Sequence, residues 1–506
     1  MDKTKPGIRG TFSIPQLLSK WIYCRFPECP LFRFMQPTES YPMAKDRNYD
    51  YIIAGAGAAG LSLVWNILHR KELRDRRVLL VDRSLEPLRD KTWCFWDDSH
   101  VPFRDLIHHT WETLAVRFPD AQFSETLKTY RYHCVRSDDY AGKILEMARE
   151  CPNVTLLEAD IDGFEFKSGD SEEPPLSGRS DRSDEILASG KSSGSVENRA
   201  YGESGGSVEN RASVENRAYG ESGGSEISST IDETNISDKK GTAVMHSSVG
   251  TFTAGHIFQS ALRPPGFHQL KLDLSLLQHF TGWHIRTERD VFDPGTAMFM
   301  DFDVPQDNGV TFVYVLPFSK RDALVEYTLF SPEIISDEAY RQGLEEYIEQ
   351  RCGLAPGSYE IEYTEKGVIP MEDRRYPARY CRNVWNMGTM GGLTKPSTGY
   401  TFTRIQHHTA AIAEALSRGK NPPEKIMSPY RFRVYDMLLL YNLHRDPETS
   451  VTIFRELFRN NRFDRILRFL EEHTRFDQDL RIMASVPWMP FFRALYGMKH
   501  RVLTGA

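Results

Sequence analysis

Asp50-Tyr-Ile-Ile-Ala-Gly55-Ala-Gly57-Ala-Ala-Gly60-Leu-Ser-Leu-Val-Trp65 is an apolar run that breaks at three spaced glycines and resumes as a small-residue-rich helix pattern. In a strand-to-helix turn of this spacing the first glycine permits the tight turn and the second lets the backbone approach a pyrophosphate. The third lets helix and strand pack closely, and the helix N-terminus favours the anion. Arg77-Val-Leu-Leu-Val-Asp82 supplies a second strand ending in a carboxylate 22 positions after Gly60, where an acceptor for ribose hydroxyls belongs. Gly55, Gly57, Gly60 and Asp82 are therefore the expected grip on a dinucleotide. A fingerprint this near the start of the folded part, followed by enough chain for an interrupting second domain, favours FAD over NAD.

The chain has 506 residues, 40% apolar and 26% charged, which is room for two or three domains and a sizeable buried core. With 63 Lys and Arg against 70 Asp and Glu the net charge is -7, so no basic excess recommends nucleic acid as a partner. Seven scattered cysteines form no C-x-x-C pair and no zinc-ligand spacing, so no metal site is expected and a reduced, cytoplasmic setting fits. No stretch approaches the roughly 20 apolar residues of a membrane span.

Outward from the fingerprint, the pattern divides the chain. Residues 1–47 read as a poorly ordered extension and 48–168 as the first, Rossmann-like part of an FAD-binding domain. Residues 169–242 read as a disordered insert in which Ser-Val-Glu-Asn-Arg-Ala begins at Ser195, Ser207 and Ser213. Its flanks, Val154 to Ala159 and Gly255 to Ser260, read as one sheet edge. Alternating aromatic and branched residues over 276–331 predict several strands of an inserted antiparallel sheet, so 243–380 reads as a substrate-domain sheet with return strands. A second FAD-binding part is expected over 381–425, where Asn386 to Phe402 repeats strand, glycine loop and helix N-terminus, and 426–506 reads as a helical tail. The predicted fold class is thus α/β.

Several segments carry candidate chemistry. Gly388, Thr389, Gly391, Gly392 and Gly399 could turn backbone N–H groups toward a flavin nucleotide, or form a structural loop. Lys91-Thr-Trp-Cys-Phe-Trp96 gathers three large aromatic rings that either fill a core or line an apolar tunnel. In Leu324-Val-Glu-Tyr-Thr-Leu-Phe330 the alternation sets Glu326 and Thr328 on the face opposite Val325, Tyr327 and Leu329. Position alone does not make that carboxylate catalytic. Near the C-terminus Arg alternates with Phe and Trp, as in an ordinary packing helix or in a segment resting on lipid.

Together, Gly55 to Gly60, Lys91 to Trp96, Gln278-His-Phe-Thr-Gly-Trp283, Met300-Asp-Phe302, Phe312 to Phe318, Leu324 to Thr328, Gly367-Val-Ile-Pro-Met371 and Gly391 to Phe402 resemble bacterial-type lycopene β-cyclases. The resemblance spans roughly 48–480 without the insert. It implies a peripheral-membrane enzyme that cyclises lycopene through γ-carotene to β-carotene without net redox change. It also implies a requirement for reduced FAD, with NAD(P)H as the electron source. It maps the family's essential glutamate onto Glu326. Burial against Tyr327, Phe312 and Tyr314 is expected to keep that acid protonated, and Asp301 is a second acid to watch. The chain departs from its relatives in carrying Gln259-Ser260-Ala261 for Asp-Ser-Arg. Thr389 stands where related flavoproteins place an Asp. The alternatives are a redox flavoenzyme of the same superfamily, such as a geranylgeranyl reductase or monooxygenase, and a non-catalytic carotenoid-binding protein.

Overall fold

The structure, a computed structural model, describes residues 47–97, 103–168, 241–424 and 428–504. The expected N-terminal extension and polar insert lie outside the described residues, save Arg47, Gly241 and Thr242.

Strand β1 (Asn48–Ala54) runs through the glycine turn into α1 (Ala58–Leu68), and β2 (Val78–Asp82) returns parallel to β1. Next come β3 (Thr92–Asp97), β4 (His109–Trp111), β5 (Thr113–Phe118), β6 (Ala121–Thr126) and β7 (Arg131–Arg136), then α2 (Ser137–Glu150). After β8 (Val154–Glu158) and β9 (Ile161–Ser168), the chain continues with β10 (Gly241–Ser247) and β11 (Gly250–Gln259). Four strands follow: β12 (Ser275–Thr287), β13 (Thr296–Asp301), β14 (Val310–Pro317) and β15 (Asp322–Ser331). Helix α3 (Asp337–Cys352) leads to β16 (Tyr359–Glu372), β17 (Arg379–Cys381) and β18 (Val384–Asn386). The rest is helical: α4 (Phe402–Ser417), α5 (Tyr430–Arg445), α6 (Pro447–Asn460), α7 (Phe463–Leu470), α8 (Phe476–Ala484), α9 (Trp488–Gly497) and α10 (Lys499–Thr504).

The first sheet has the order β17-β18-β11-β1-β2-β8, with β18, β11, β1, β2 and β8 parallel. Both faces of β1 are covered, so its sequence is continuously apolar rather than alternating. Ile53 packs with Leu61, Val64 and Ile144 under α1, α2 and α4. Ile52 and Ala54 pack with Phe164 and Met245 on the other side. The crossovers reverse direction at β1, which leaves a crevice at the carboxyl ends of the parallel strands.

Two expectations are corrected. Strands β10 and β11, from the start of the 243–380 segment, lie in this first sheet, where Ile257, Phe258 and Gln259 are all buried, as in a central parallel strand. The insert's presumed flanks do not share an edge: β8 pairs with β2, and β11 lies on the far side of β1. The strands that bracket the insert, β9 and β10, pair with each other. Strand β10 opens at Gly241, inside the expected insert.

The second sheet has the order β16-β12-β15-β14-β13-β5-β6 and is antiparallel except between β13 and β5. It therefore recruits a hairpin from the first part of the chain. Val325, Tyr327 and Leu329 face α3 with Val313, Tyr340 and Leu344. Leu324, Phe312, Tyr314 and Phe330 face the other way, toward β3, β4, β7 and the C-terminal helices, where Leu440, Phe454 and Ile466 meet them. Tyr327 is therefore not a neighbour of Glu326, contrary to expectation: the pleat turns the two to opposite sides. Tyr314 lies beside Glu326 and Phe312 beside Thr328 in the β14–β15 register. Local signals hold these helices in place. Asp446 caps α6 by accepting the Thr449 N–H at 3.0 Å, with Pro447 at the first helical position.

Candidate active site

The glycine turn has the geometry its spacing predicts. Gly55 has φ +108°, and a Cβ at Gly60 would lie 1.8 Å from the Gly55 carbonyl oxygen. A Cβ at Gly57 would meet nothing within 4 Å, so its backbone faces open space. The Ala56 N–H donates to the Asp82 carboxylate at 2.5 Å, which ties the end of β2 to the turn. The second glycine segment docks against the first. Gly388 has φ +58°, and a Cβ there would lie 3.1 Å from the Ala59 side chain. Gln259 is the knot between them: Nε2 donates to Asn386 Oδ1 and Oε1 accepts from the Ala261 and Leu262 N–H groups. A Cβ at Gly391 would lie 2.6 Å from the Asn386 carbonyl, and Gly392 has φ +69°.

A cavity of about 350 Å³ starts at this junction. Ala58 and Thr389 line one end, with Gly399 beside them, and Glu326, Tyr314, Phe280, Trp93 and Cys94 line the rest. Gly399 has φ +71°, and its Cβ would collide with Gln278 Oε1. Gln278 and Thr398 are among the residues lining the cavity, and their Oε1 and Oγ1 atoms are buried without a hydrogen-bond partner among the described residues. Buried polar atoms of this kind are costly unless something else meets them. The open space before Gly57, and a cavity lined by Ala58, Thr389 and Gly399, suit a nucleotide cofactor.

Glu326 is 9% exposed, and its Oε1 accepts from the Thr328 hydroxyl at 2.9 Å. Behind it stands Glu365, 1% exposed, whose Oε2 accepts from the Thr92 hydroxyl at 2.9 Å. The two carboxyls come from β15 and β16 on either side of β12, and both are in register with Gly282. Having no side chain, Gly282 leaves them room to interact across the middle strand. Burial and then the charge of Glu365 push the Glu326 carboxyl well above the usual carboxylate range. Burial pushes Glu365 up to about 7, against hydrogen bonds from Thr92 and Glu326 that hold it down. The phenols nearby, buried Tyr314 and half-buried Tyr400, are pushed up by desolvation as well, so they stay neutral.

The sequence matches the family described as Lycopene cyclase protein over residues 50–172 and 191–496. This chain belongs to that family. A lycopene beta-cyclase from Paracoccus sp. (strain N81106 / MBIC 01143) is 28% identical over 151 residues, covering 29% of this chain and 37% of that protein. The chain thus spans well under half the length of this curated relative. Among solved structures, a flavoprotein/dehydrogenase from Cytophaga hutchinsonii aligns with a TM-score of 0.52 at 12% identity, covering 90% of this chain and 99% of that one. This likeness establishes a flavoprotein fold. A geranylgeranyl bacteriochlorophyll reductase-like protein from Thermoplasma acidophilum aligns at 11% identity with a TM-score of 0.47, over 90% of this chain and 99% of the other.

Within this lycopene cyclase-family chain the expected residues divide. Glu326 and the second glycine segment meet at one cavity, and the first glycine turn abuts it through Ala58. Asp301 does not join them. It is fully buried on the α3 side of its sheet, paired with Arg117 at 2.8 Å, and accepts from the Tyr347 hydroxyl at 2.8 Å and the Asp303 N–H at 3.0 Å. The aromatic cluster serves both of its readings, because Trp93 lines the cavity and stacks on Phe402 while Phe95 and Trp96 sit in the cores. Glu365 escaped the sequence reading. The one signal was Gly282 within a strand otherwise lined by large side chains.

Further cavities share walls with the first. Cys94, Tyr400, Thr401 and Phe402 also line a neighbouring space of about 250 Å³. This one shares Lys395 and Leu470 with an apolar groove of about 280 Å³ among the C-terminal helices, lined by Leu439, Phe454, Phe469, Trp488 and Phe492. Trp488 is 61% exposed and Tyr496 75%, with Phe476, Leu480, Met489 and Phe492 also exposed. No helix among the described residues is long and apolar enough to cross a membrane.

Proposed function

We propose that this protein is a lycopene β-cyclase that closes the ends of lycopene, through γ-carotene, to the rings of β-carotene by proton transfer without net redox change. The observation that carries the reading is a buried acid, Glu326, in an aromatic cavity that adjoins both glycine loops, where burial and the charge of Glu365 favour its protonated form. The Glu326 O–H bond breaks as a C–H bond forms at the terminal alkene, which leaves a tertiary cation. The next alkene attacks this cation and closes the six-membered ring. The Glu326 carboxylate then takes the proton beside the ring cation, so no electrons are gained or lost. Such a cation survives only where water is excluded and π-electron density or negative charge is fixed nearby. Tyr314, Phe280 and Trp93 supply the rings.

The glycine turn, Asp82 and the Gly388 to Gly399 segment fit an FAD, with the adenosine half at Gly55, Gly57 and Gly60 and the ring end toward Thr389, Gln278 and Thr398. Bound and kept reduced by NAD(P)H, FAD would supply an electron-rich surface beside the cation. We further propose that the exposed aromatic face of α8 and α9, with Lys499 Nζ 4.9 Å from the Tyr496 ring, rests on the surface of a cytoplasmic membrane and admits carotenoid through the apolar groove. The test is expression in a lycopene-accumulating host with pigment chromatography. The wild type is expected to yield cyclic carotenes of unchanged mass. Glu326→Gln is expected to yield none while flavin still copurifies. A product lighter or heavier by hydrogen or oxygen would contradict the cyclase reading and indicate redox chemistry.

A further inference from the structure

We infer that Glu365 is a positioning residue that works through Glu326: the two carboxyls, joined over Gly282, form one unit that keeps its proton on the cavity side and its negative charge behind. The inference rests on the reading of Glu326 as the acid. Its geometric basis is the three-strand register in which Glu326, Gly282 and Glu365 stand abreast. A Cβ at Gly282 would come within 3.1 Å of Glu365 Cγ and 3.4 Å of Glu326 Cβ, so any other residue there would wedge between the acids. Glu365 does not line the cavity, whereas Glu326 does.

Among the described residues no Lys, Arg or His forms an ion pair with either carboxyl. Lys91, whose charge acts on Glu365, is paired with Asp90 at 2.8 Å just before β3. The other titratable groups facing the pair are Cys94 on β3, Cys134 on β7, Tyr314 on β14 and Tyr363 on β16, all pushed up by burial and all neutral. Two buried like charges in contact repel strongly, so one proton stays with the pair. When Glu365 is ionised it accepts from the Thr92 hydroxyl and from the protonated Glu326 carboxyl. That bond points the shared proton's owner, and the charge behind it favours a cation in front. After Glu326 gives its proton to the alkene, two carboxylates stand side by side, tolerable only while the carbocation is present. The last step returns the ring proton to Glu326, and the protons balance.

Two readouts test this. In the first, the pH profile of cyclisation in the wild type rises as Glu365 ionises near pH 7 and falls at higher pH as Glu326 ionises. Glu365→Gln is expected to lose the rise and to move the fall down by about one pH unit or more, tenfold in proton affinity. A merely structural role would scale the whole profile without moving it. In the second, infrared titration of the flavin-loaded protein without carotenoid follows the protonated-carboxyl band that Glu326→Gln removes. In Glu365→Gln this band is expected to vanish at lower pH than in the wild type. Because no substrate is needed, this readout stands even if no ring closure is found. Should Glu365→Gln fold poorly, Thr92→Val removes a donor to ionised Glu365 and is expected to shift the near-neutral rise upward. Profiles and bands that coincide with the wild type in both variants would overturn the inference.

Discussion

At the scale of single residues the site turns on what Gly282 lacks. A methyl group there would press on Leu324 at 2.8 Å as well as on both carboxyl side chains. Gly282→Ala is expected to cost about 1 to 3 kcal/mol of stability in chemical denaturation, the usual penalty of overpacking. It is also expected to lower cyclisation by more than the loss of folded protein explains. The acids have their own effect on stability. A carboxyl whose folded-state affinity for protons is raised stabilises the fold most where it is neutral. Its contribution is complete below about pH 4.5 and is lost as pH rises through the folded value, here about 7 for Glu365. The wild type is thus expected to lose stability between pH 5 and pH 8. In Glu365→Gln the loss should be smaller by about 1 to 3 kcal/mol, measured by denaturant titration at both pH values. Glu326 was legible as a mid-strand acid because its strand alternates cleanly. Glu365 was not, since its strand carries Glu360, Glu362, Glu365 and Glu372, and a register shift opposite His284 and Ile285 breaks the period that would have singled one out.

The elements show why glycine spacing was such a strong guide. Gly60 and Gly57 serve different ends, and substitution separates them. Gly60→Ala would drive a methyl into the Gly55 carbonyl and is expected to destabilise the turn and release flavin together. Gly57→Ala has room in the protein itself. It is expected to melt within a few degrees of the wild type when flavin-free, yet to retain at least about tenfold less flavin on gel filtration, because only the dinucleotide would meet the new methyl. A parallel strand buried on both faces carries no alternation, so β11 could not be told from the strands of the second sheet by pattern alone. Its place beside β1 is a tertiary fact, and so is the pairing of β9 with β10. The second glycine segment was readable because strand, loop and helix followed in order, although its docking on Ala59 was not.

Among the described residues, three sheets and a helical tail bring together a glycine-lined crevice, two buried acids and an apolar groove. The tail's pattern of Arg and aromatic residues left its role open in the sequence. In the structure Trp488, Phe492 and Tyr496 share one exposed face of α9, while Pro490 and Ala494 are buried. An ordinary packing helix buries its large residues and exposes its small ones. If this face meets lipid, Trp488→Ser with Phe492→Ser is expected to reduce cosedimentation with anionic vesicles roughly tenfold or more. Flavin content should be unchanged. The claim on which everything else depends is that a protein-held proton starts the reaction and that the cycle returns one. It is tested most directly by running the flavin-reduced enzyme on lycopene in deuterated water and weighing the carotene. For enzyme equilibrated in deuterated water and held to a single turnover, the account predicts one deuterium in the first ring closed, where Glu326 still carries a solvent-derived deuteron, and no hydrogen pair gained or lost. A cyclic product without deuterium, or one that has gained or lost hydrogen pairs, would contradict it.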